Sequence, residues 1–218
     1  MFIGHYAFGL AAKKAAPQVS LGTLFIAAQF LDLLWPIFLL LGLERVETAP
    51  GNTAFTPLAF VYYPFTHSLV AALAWATLFA FLYLITRRSS RGSILVWVAV
   101  VSHWVLDALT HRPDLPLYPG SETLFGFGLW NSVAGTLIVE AILYALGVVL
   151  YRKATRALDR IGSYGFWALI IVLALIYAAN VFGPPPPNVR VLAVVALFQW
   201  LFVFWAYWVD RHRESVAG

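Results

Sequence analysis

The chain has 218 residues, of which 61% are hydrophobic and only 11% charged. A soluble domain carries charge on roughly a quarter of its residues, so this composition excludes one and describes a polytopic membrane protein. No cysteine is present, which excludes disulfides and thiolate metal sites and leaves His, Asp and Glu as transition-metal ligands. The net charge of +4 comes from loop arginines and not from the basic, aromatic-lined face that nucleic acid needs, so the expected partner is the bilayer and not nucleic acid.

In chain order, Phe2 to Ala12 is apolar but too short to cross a membrane and predicts a buried or re-entrant helix. Lys13 and Lys14 follow this stretch instead of preceding it, so it reads as a retained segment and not as a cleaved signal peptide. Six apolar runs then match the roughly 20 residues that a spanning helix needs. They are Leu21 to Leu43, Pro64 to Thr86, Ser93 to His111, Phe127 to Tyr151, Ser163 to Phe182, and Val189 to Val209. Pro36 lacks an N–H and predicts a kink in the first run just past Asp32. Pro184 to Pro187 predicts a stiff connector, because polyproline geometry is extended. The expected fold is all-α: a transmembrane helical bundle of about six spans plus the short N-terminal helix, in one integral membrane domain over residues 1–218.

Charge sorts the loops. Arg87, Arg88 and Arg91 follow the second run, Arg152, Lys153, Arg156 and Arg160 the fourth, and Arg211 and Arg213 the sixth. The alternate loops mix Arg45, Arg112 and Arg190 with Glu44, Glu47, Asp114 and Glu122. The positive-inside rule then predicts both termini on the cytoplasmic side.

Ionisable groups at membrane depth are costly, and this chain carries several. With a rise of 1.5 Å per residue, His5, Asp32, His103, Glu140 and Asp107 come out about 14 to 21 Å above the cytoplasmic helix ends. His67 and His111 come out higher, at about 27 to 30 Å. His103, Asp107 and His111 recur at i, i+4 and i+8 and so share one helical face. A four-residue spacing is what lets one helix present two ligands to one metal. Each group also has a plainer reading. A lone intramembrane His can bond a neighbouring helix, and Asp32 can be helix glue or a proton-relay carboxylate. Thr66 can simply cap a helix, His111 can sit at the interface, and Glu140 can be an outer partner of a ligating histidine. Together they are costly unless they share a partner, and a divalent cation supplies one.

Gly4-His5, Asp32 four residues before Pro36, Phe65-Thr66-His67-Ser68, and Ser102-His103 with Asp107, Leu109 and Thr110 form an ordered set. In these motifs, and in Pro116 to Pro119 after them, the chain resembles the bacterial inner-membrane-associated metal-dependent hydrolases. That family is distantly related to zinc-dependent phospholipase C and the P1-type nucleases. The resemblance covers roughly the first 120 residues, and it implies metal ligation by His5, Asp32, His67, His103 and Asp107. Two places depart from the family pattern. Leu34 and Trp35 stand where it has Asp and His, and Tyr62-Tyr63-Pro64 stands where it has His-Arg-Gly. These departures remove ligands for a second metal and an arginine suited to phosphate.

The expected function is a membrane-embedded hydrolase of the bacterial inner membrane. It would use a divalent metal, zinc first, on a lipid or lipid-linked ester or phosphoester near the outer leaflet. His111 and Glu140 are the expected general acid–base groups. Two other readings stay open at this level: an inactive protein that keeps a structural metal, and a proton-coupled transporter using Asp32, Glu140, His103 and Asp107 as relay groups.

Overall fold

The computed structural model describes residues 1–216. Ten α-helices carry the architecture: α1 (Ile3–Ala15), α2 (Leu21–Ala28), α3 (Phe30–Leu40), α4 (Pro64–His67), α5 (Leu69–Arg87), α6 (Ser90–Thr110), α7 (Val133–Ala154), α8 (Phe166–Phe182), α9 (Val189–Leu197) and α10 (Gln199–Arg211). Short strands close the loops in three antiparallel pairs: β1 (Arg45–Thr48) with β2 (Leu58–Tyr62), β3 (Leu115–Pro116) with β4 (Leu124–Phe125), and β5 (Thr155–Ala157) with β6 (Arg213–Ser215).

Five helical stretches are long and apolar enough to cross a membrane: Leu69–Arg87, Ser90–Thr110, Val133–Ala154, Ile161–Phe182 and Val189–Arg211. The pair α2 and α3, bent by 56°, is apolar enough only when taken together, which gives five to six such stretches. The protein is therefore a helical membrane bundle. Large side chains such as Phe81 and Ile85 on α5 and Leu175 and Phe182 on α8 are exposed, which is the face a bilayer solvates.

Local sequence explains where the helices begin. Ser20, Ser68, Ser89 and Ser132 each accept a backbone N–H from the first turn of α2, α5, α6 and α7, and Asn188 does the same for α9. Each such cap satisfies a donor that the helix start would otherwise leave bare. Arg88 adopts the left-handed conformation at φ 51° and turns α5 back onto α6. Small residues Ala72, Ala76 and Ala80 are buried on α5, and the Ser93 hydroxyl donates to Ala80 O, tying the two helices together.

The kink expected at Pro36 is not where the first span breaks. Pro36 lies inside α3, and the 56° bend falls at Gln29, between α2 and α3. A proline strains mainly the turn N-terminal to it, and α3 begins only one and a half turns before Pro36, so the ring meets few of the N–H···O bonds it would break. The break puts Asp32 in the first turn of a new helix.

Helix α1 is the hub. It is 13 residues long, about 20 Å, which is short of the roughly 30 Å hydrocarbon core. It is largely buried and packs against α7, α2 and α6. Its contact with α7 is so close that a Cβ on Gly147 would fall 2.5 Å from Ala7 O. Two apolar cores flank it, one built on α2, α3, α5 and α6, the other on α7, α8 and α10.

The basic loops gather at one end. Strand β5, after α7, pairs with β6, after α10, and Ser215 Oγ donates to Pro17 O beyond α1. Lys13 forms a buried ion pair with Asp210 at 3.0 Å, and Arg156 pairs with Glu214.

Candidate metal centre

Four helices place five polar side chains around one point. Gly4-His5 comes from the start of α1, Asp32 from the start of α3, His67 from the last residue of α4, and His103 and Asp107 from successive turns of α6. The expected height difference for His67 disappears. Pro64 opens a separate four-residue helix, and Ser68 is extended at ψ 150° before α5 begins. The rise from the cytoplasmic end of α5 therefore does not set the position of His67.

The ligand atoms converge. His67 Nε2 lies 3.4 Å from Asp32 Oδ1 and 3.7 Å from Asp107 Oδ2. His103 Nε2 lies 3.2 Å from Asp107 Oδ2 and 3.7 Å from Asp32 Oδ1. His5 Nε2 is 3.1 Å from Asp107 Oδ1, and its ring stacks on His103 at 3.6 Å between centroids. Asp107 Oδ1 also meets the Met1 amine at 2.6 Å, which leaves Oδ2 turned toward His67 and His103. Two sets of three ligand atoms lie within 4.8 Å of one another: His5, His103 and Asp107, and Asp32, His67 and His103.

Outer hydrogen bonds decide which nitrogen each ring presents. His103 Nδ1 lies 2.8 Å from Ala28 O; a carbonyl only accepts, so Nδ1 carries a proton, and in the neutral ring Nε2 holds the lone pair. His67 Nδ1 is 2.7 Å from Thr66 Oγ1, which donates its own proton to Glu44 Oε2. Nδ1 of His67 is therefore the donor, and in the neutral ring its Nε2 also offers a lone pair. Glu44 further accepts the Phe65 and Thr66 amides. Burial raises the Glu44 carboxyl above its ordinary value, against these three donors. Histidine ligands of metals are commonly held in this way, by a carbonyl or carboxylate on the far nitrogen. His5 lacks such a partner: its Nδ1 is buried and bonded to nothing.

Without a shared cation this arrangement is unfavourable. With both rings neutral, two imidazole lone pairs and two carboxylates face one another, and His103 Nε2 is buried with no hydrogen-bond partner. A tetrahedral ion with bonds of about 2.0–2.2 Å holds its ligand atoms about 3.3 to 3.6 Å apart. The four N···O separations given for His67 and His103 run from 3.2 to 3.7 Å, so the residues present fit a metal. Asp32, with 22% of its side chain exposed against at most 3% for His67, His103 and Asp107, is the least enclosed of the four.

The sequence of the whole first part of the chain carries a family signature around this centre. The YdjM inner membrane protein family matches residues 1–185, from α1 through α8. The chain belongs to the YdjM family. It is thus an integral inner-membrane protein, and the family match takes in all five residues of the centre. No curated protein and no solved structure is significantly similar to it.

The two remaining candidates of this YdjM-family chain lie outside the ligand cluster. His111 follows the last residue of α6, its Nδ1 bonded to Asp114 Oδ1 at 2.8 Å; the Tyr63 hydroxyl donates to the same oxygen. Glu140, on α7, accepts the Phe2 and Gly4 amides with Oε2, which holds the turn of α1 that carries His5. Its Oε1 is buried and unpartnered. At two of the positions noted as departures in the sequence, aromatic rings stand beside His67. Trp35 stands edge-on to His67 at 6.5 Å, and Tyr63 lies 5.4 Å from the same ring.

Sequence reasoning missed Glu44, Asp114 and the Ala28 carbonyl. Asp114 had a local signal, three residues beyond His111. Glu44 stands 22 residues before Thr66 in a loop, and no spacing rule links them.

Proposed function

We propose that this protein is a metal-dependent hydrolase of the inner membrane, acting on a lipid or lipid-linked ester or phosphoester. The observation that carries the reading is that His67 Nε2 and His103 Nε2 each lie 3.2 to 3.7 Å from an oxygen of Asp32 and an oxygen of Asp107. In this reading those four residues hold the ion and His5 completes their surroundings. Zinc is the first choice for a histidine and carboxylate set without thiolate. Such an ion supplies an acidified water and a polarised scissile oxygen. The chain's own part is to orient the ligands: Ala28 O and the Thr66–Glu44 relay fix the two rings. His111, its Nδ1 held by Asp114, is arranged to take or give a proton at Nε2. Glu140 is best read as a positioning residue, because Oε2 is already committed to the first turn of α1.

The basic loops at one end support an orientation with both termini cytoplasmic. Asp107, His111 and the β1–β2 hairpin then lie toward the outer half, which favours an outer-leaflet substrate.

The apolar flank of Trp35 and Tyr63 beside His67 favours a second reading, a structural metal without turnover. One experiment separates the two. Purified protein is assayed for zinc by elemental analysis and for hydrolysis of a panel of lipid esters and phosphodiesters, before and after chelation. Zinc-restorable hydrolysis that is lost in His103→Ala supports the enzyme. Bound zinc with no hydrolysis supports the structural site, and protein purified without metal that gains none on dialysis against zinc sinks both.

A further inference from the structure

The chain between α6 and α7 does not have the surface of a water-facing loop. Its strands β3 and β4 pair Leu115 with Phe125 and Pro116 with Leu124. Its large exposed side chains are Tyr118, Leu124, Phe125 and Phe127, the last of them 73% exposed. Glu122 is the single charge from Leu115 to Gly128. The other hairpin at this end of the bundle, β1–β2, exposes Arg45 and Glu47 instead. A contiguous apolar patch marks a surface that meets a membrane or another protein.

Packing against α6 fixes the depth of that patch. Helix α6 has 21 residues, about 31 Å of rise against a hydrocarbon core of about 30 Å. The Phe125 ring lies 6.0 Å from the Trp104 ring. Trp104 precedes the last residue of α6 by about 9 Å of helical rise. Helical side chains lean toward the N-terminus, so its ring sits at least that deep. Beside it, Val105 and Leu109 are 57% and 37% exposed, on a face that lipid solvates. Strand β4 and Phe127 continue this face.

Non-helical backbone is tolerated at such depth only where the protein supplies its hydrogen bonds. Here the Phe127 amide donates to Ala108 O and the Gly128 amide to His111 O, carbonyls that the end of α6 leaves without helical partners. On the other side, Leu117 O accepts the Val70 amide from the first turn of α5, which keeps the neighbouring Tyr118 near the helix ends. Pro116 and Pro119 have no N–H to satisfy.

We propose that residues 115–127 form a re-entrant hairpin embedded in the leaflet remote from the basic loops. Leu124, Phe125 and Phe127 lie among acyl chains, and Tyr118 and the Glu122 tip lie at headgroup level. The occupant of the patch is lipid and not a second protein, because the patch continues the exposed face of α6 and lies below that helix's end. The inference goes beyond the hydrolase reading and does not depend on turnover. It concerns the same neighbourhood, since Asp114, just before β3, holds His111.

The chain has no cysteine, so single-cysteine variants carry a nitroxide at one place each. Leu124→Cys and Phe127→Cys probe the hairpin, Glu122→Cys its tip, Val105→Cys the lipid face of α6, and Glu47→Cys the β1–β2 hairpin. All five positions are exposed, so the label displaces no core, and either hairpin variant decides the matter if the other fails to fold. The full chain is reconstituted in phosphatidylcholine nanodiscs. Electron paramagnetic resonance then reads collisions with oxygen and with a polar nickel chelate. The chelate is excluded from hydrocarbon, so the oxygen-to-nickel ratio at Leu124 and Phe127 should match Val105 and exceed Glu47 about tenfold. The ratio at Glu122 should stay close to that at Glu47. Nickel access at Leu124 and Phe127 equal to that at Glu47 would put the hairpin in water and overturn the proposal. Immobilised labels that neither reagent reaches would show a second chain covering the patch, and would overturn it equally.

Discussion

The imidazoles of His5 and His103 are nearly parallel with their centroids 3.6 Å apart, and each Nε2 meets a different oxygen of Asp107. Only His103, however, has its far nitrogen held by a carbonyl, at Ala28. The two rings are close neighbours with unequal roles, and His103 belongs to both candidate ligand sets.

Metal content should follow that inequality. His103→Ala should lose essentially all bound zinc, His67→Ala most of it, and His5→Ala the least. Elemental analysis of the three purified variants checks the order. Full retention in both His103→Ala and His67→Ala would remove the ligand assignment.

The Thr66–Glu44 relay can be tested without touching a ligand. Glu44→Gln should weaken metal affinity about 10- to 100-fold, the usual cost of losing an outer partner of a ligating histidine. Thr66→Val, which removes the relay hydroxyl, should act in the same direction. Competition against a chelator of known affinity measures both, and an unchanged affinity in each would leave the relay without a role.

Gly147→Ala should destabilise the bundle by about 1–3 kcal/mol, the usual penalty of forced overpacking. The added methyl would meet Ala7 O at 2.5 Å and Ala7 Cα at 2.9 Å; backbone cannot step aside as a flexible side chain can. Thermal unfolding in detergent reads the loss, and a wild-type midpoint would mean that α1 and α7 separate freely.

The Lys13–Asp210 pair is buried, with 6% and 13% of the two side chains exposed. Lys13→Met alone should cost about 3–5 kcal/mol, because it strands a carboxylate. Adding Asp210→Leu should recover most of that loss. A double-mutant cycle on unfolding midpoints tests it, and purely additive losses would show that the pair is not coupled.

At the basic end, the Gly162 amide and the His212 ring hold the Asp159 carboxyl below the usual carboxylate range. A depressed acid contributes stability above its unfolded pKa of about 3.9 and loses it as pH falls through the lower folded value. Protection of the Gly162 and Leu158 amides against hydrogen exchange should therefore drop in strong acid. Asp159→Asn should show little such pH dependence, and equal profiles for the two proteins would exclude Asp159 as the cause.

Much of the molecule was legible in order and spacing. Runs of about 20 apolar residues mark spans because the bilayer sets their length, and α5 through α8 begin or end within a few residues of the expected limits, α7 excepted. That helix starts at Val133 and not Phe127, because Gly128 and a 3₁₀ turn at Leu129–Asn131 precede its Ser132 cap. The i, i+4 relation of His103 and Asp107 also follows from helical geometry alone. His67 did not yield to the same arithmetic, since a rise per residue holds only within one continuous helix.

By itself, then, the sequence determined the membrane class, a bundle of five to six helices apolar enough to span, and the list of polar residues that hydrocarbon would not tolerate alone. Hydropathy and helical period are local properties, and they survive any packing. Only the tertiary structure decided which of those residues meet. The break at Gln29 and the separate turn at Pro64–His67 bring Asp32 and His67 onto α6. Glu44 reaches Thr66 across 22 residues of chain, and Asp114 holds Nδ1 of His111. Contacts of that kind arise from how helices bend and dock, and no residue spacing encodes them.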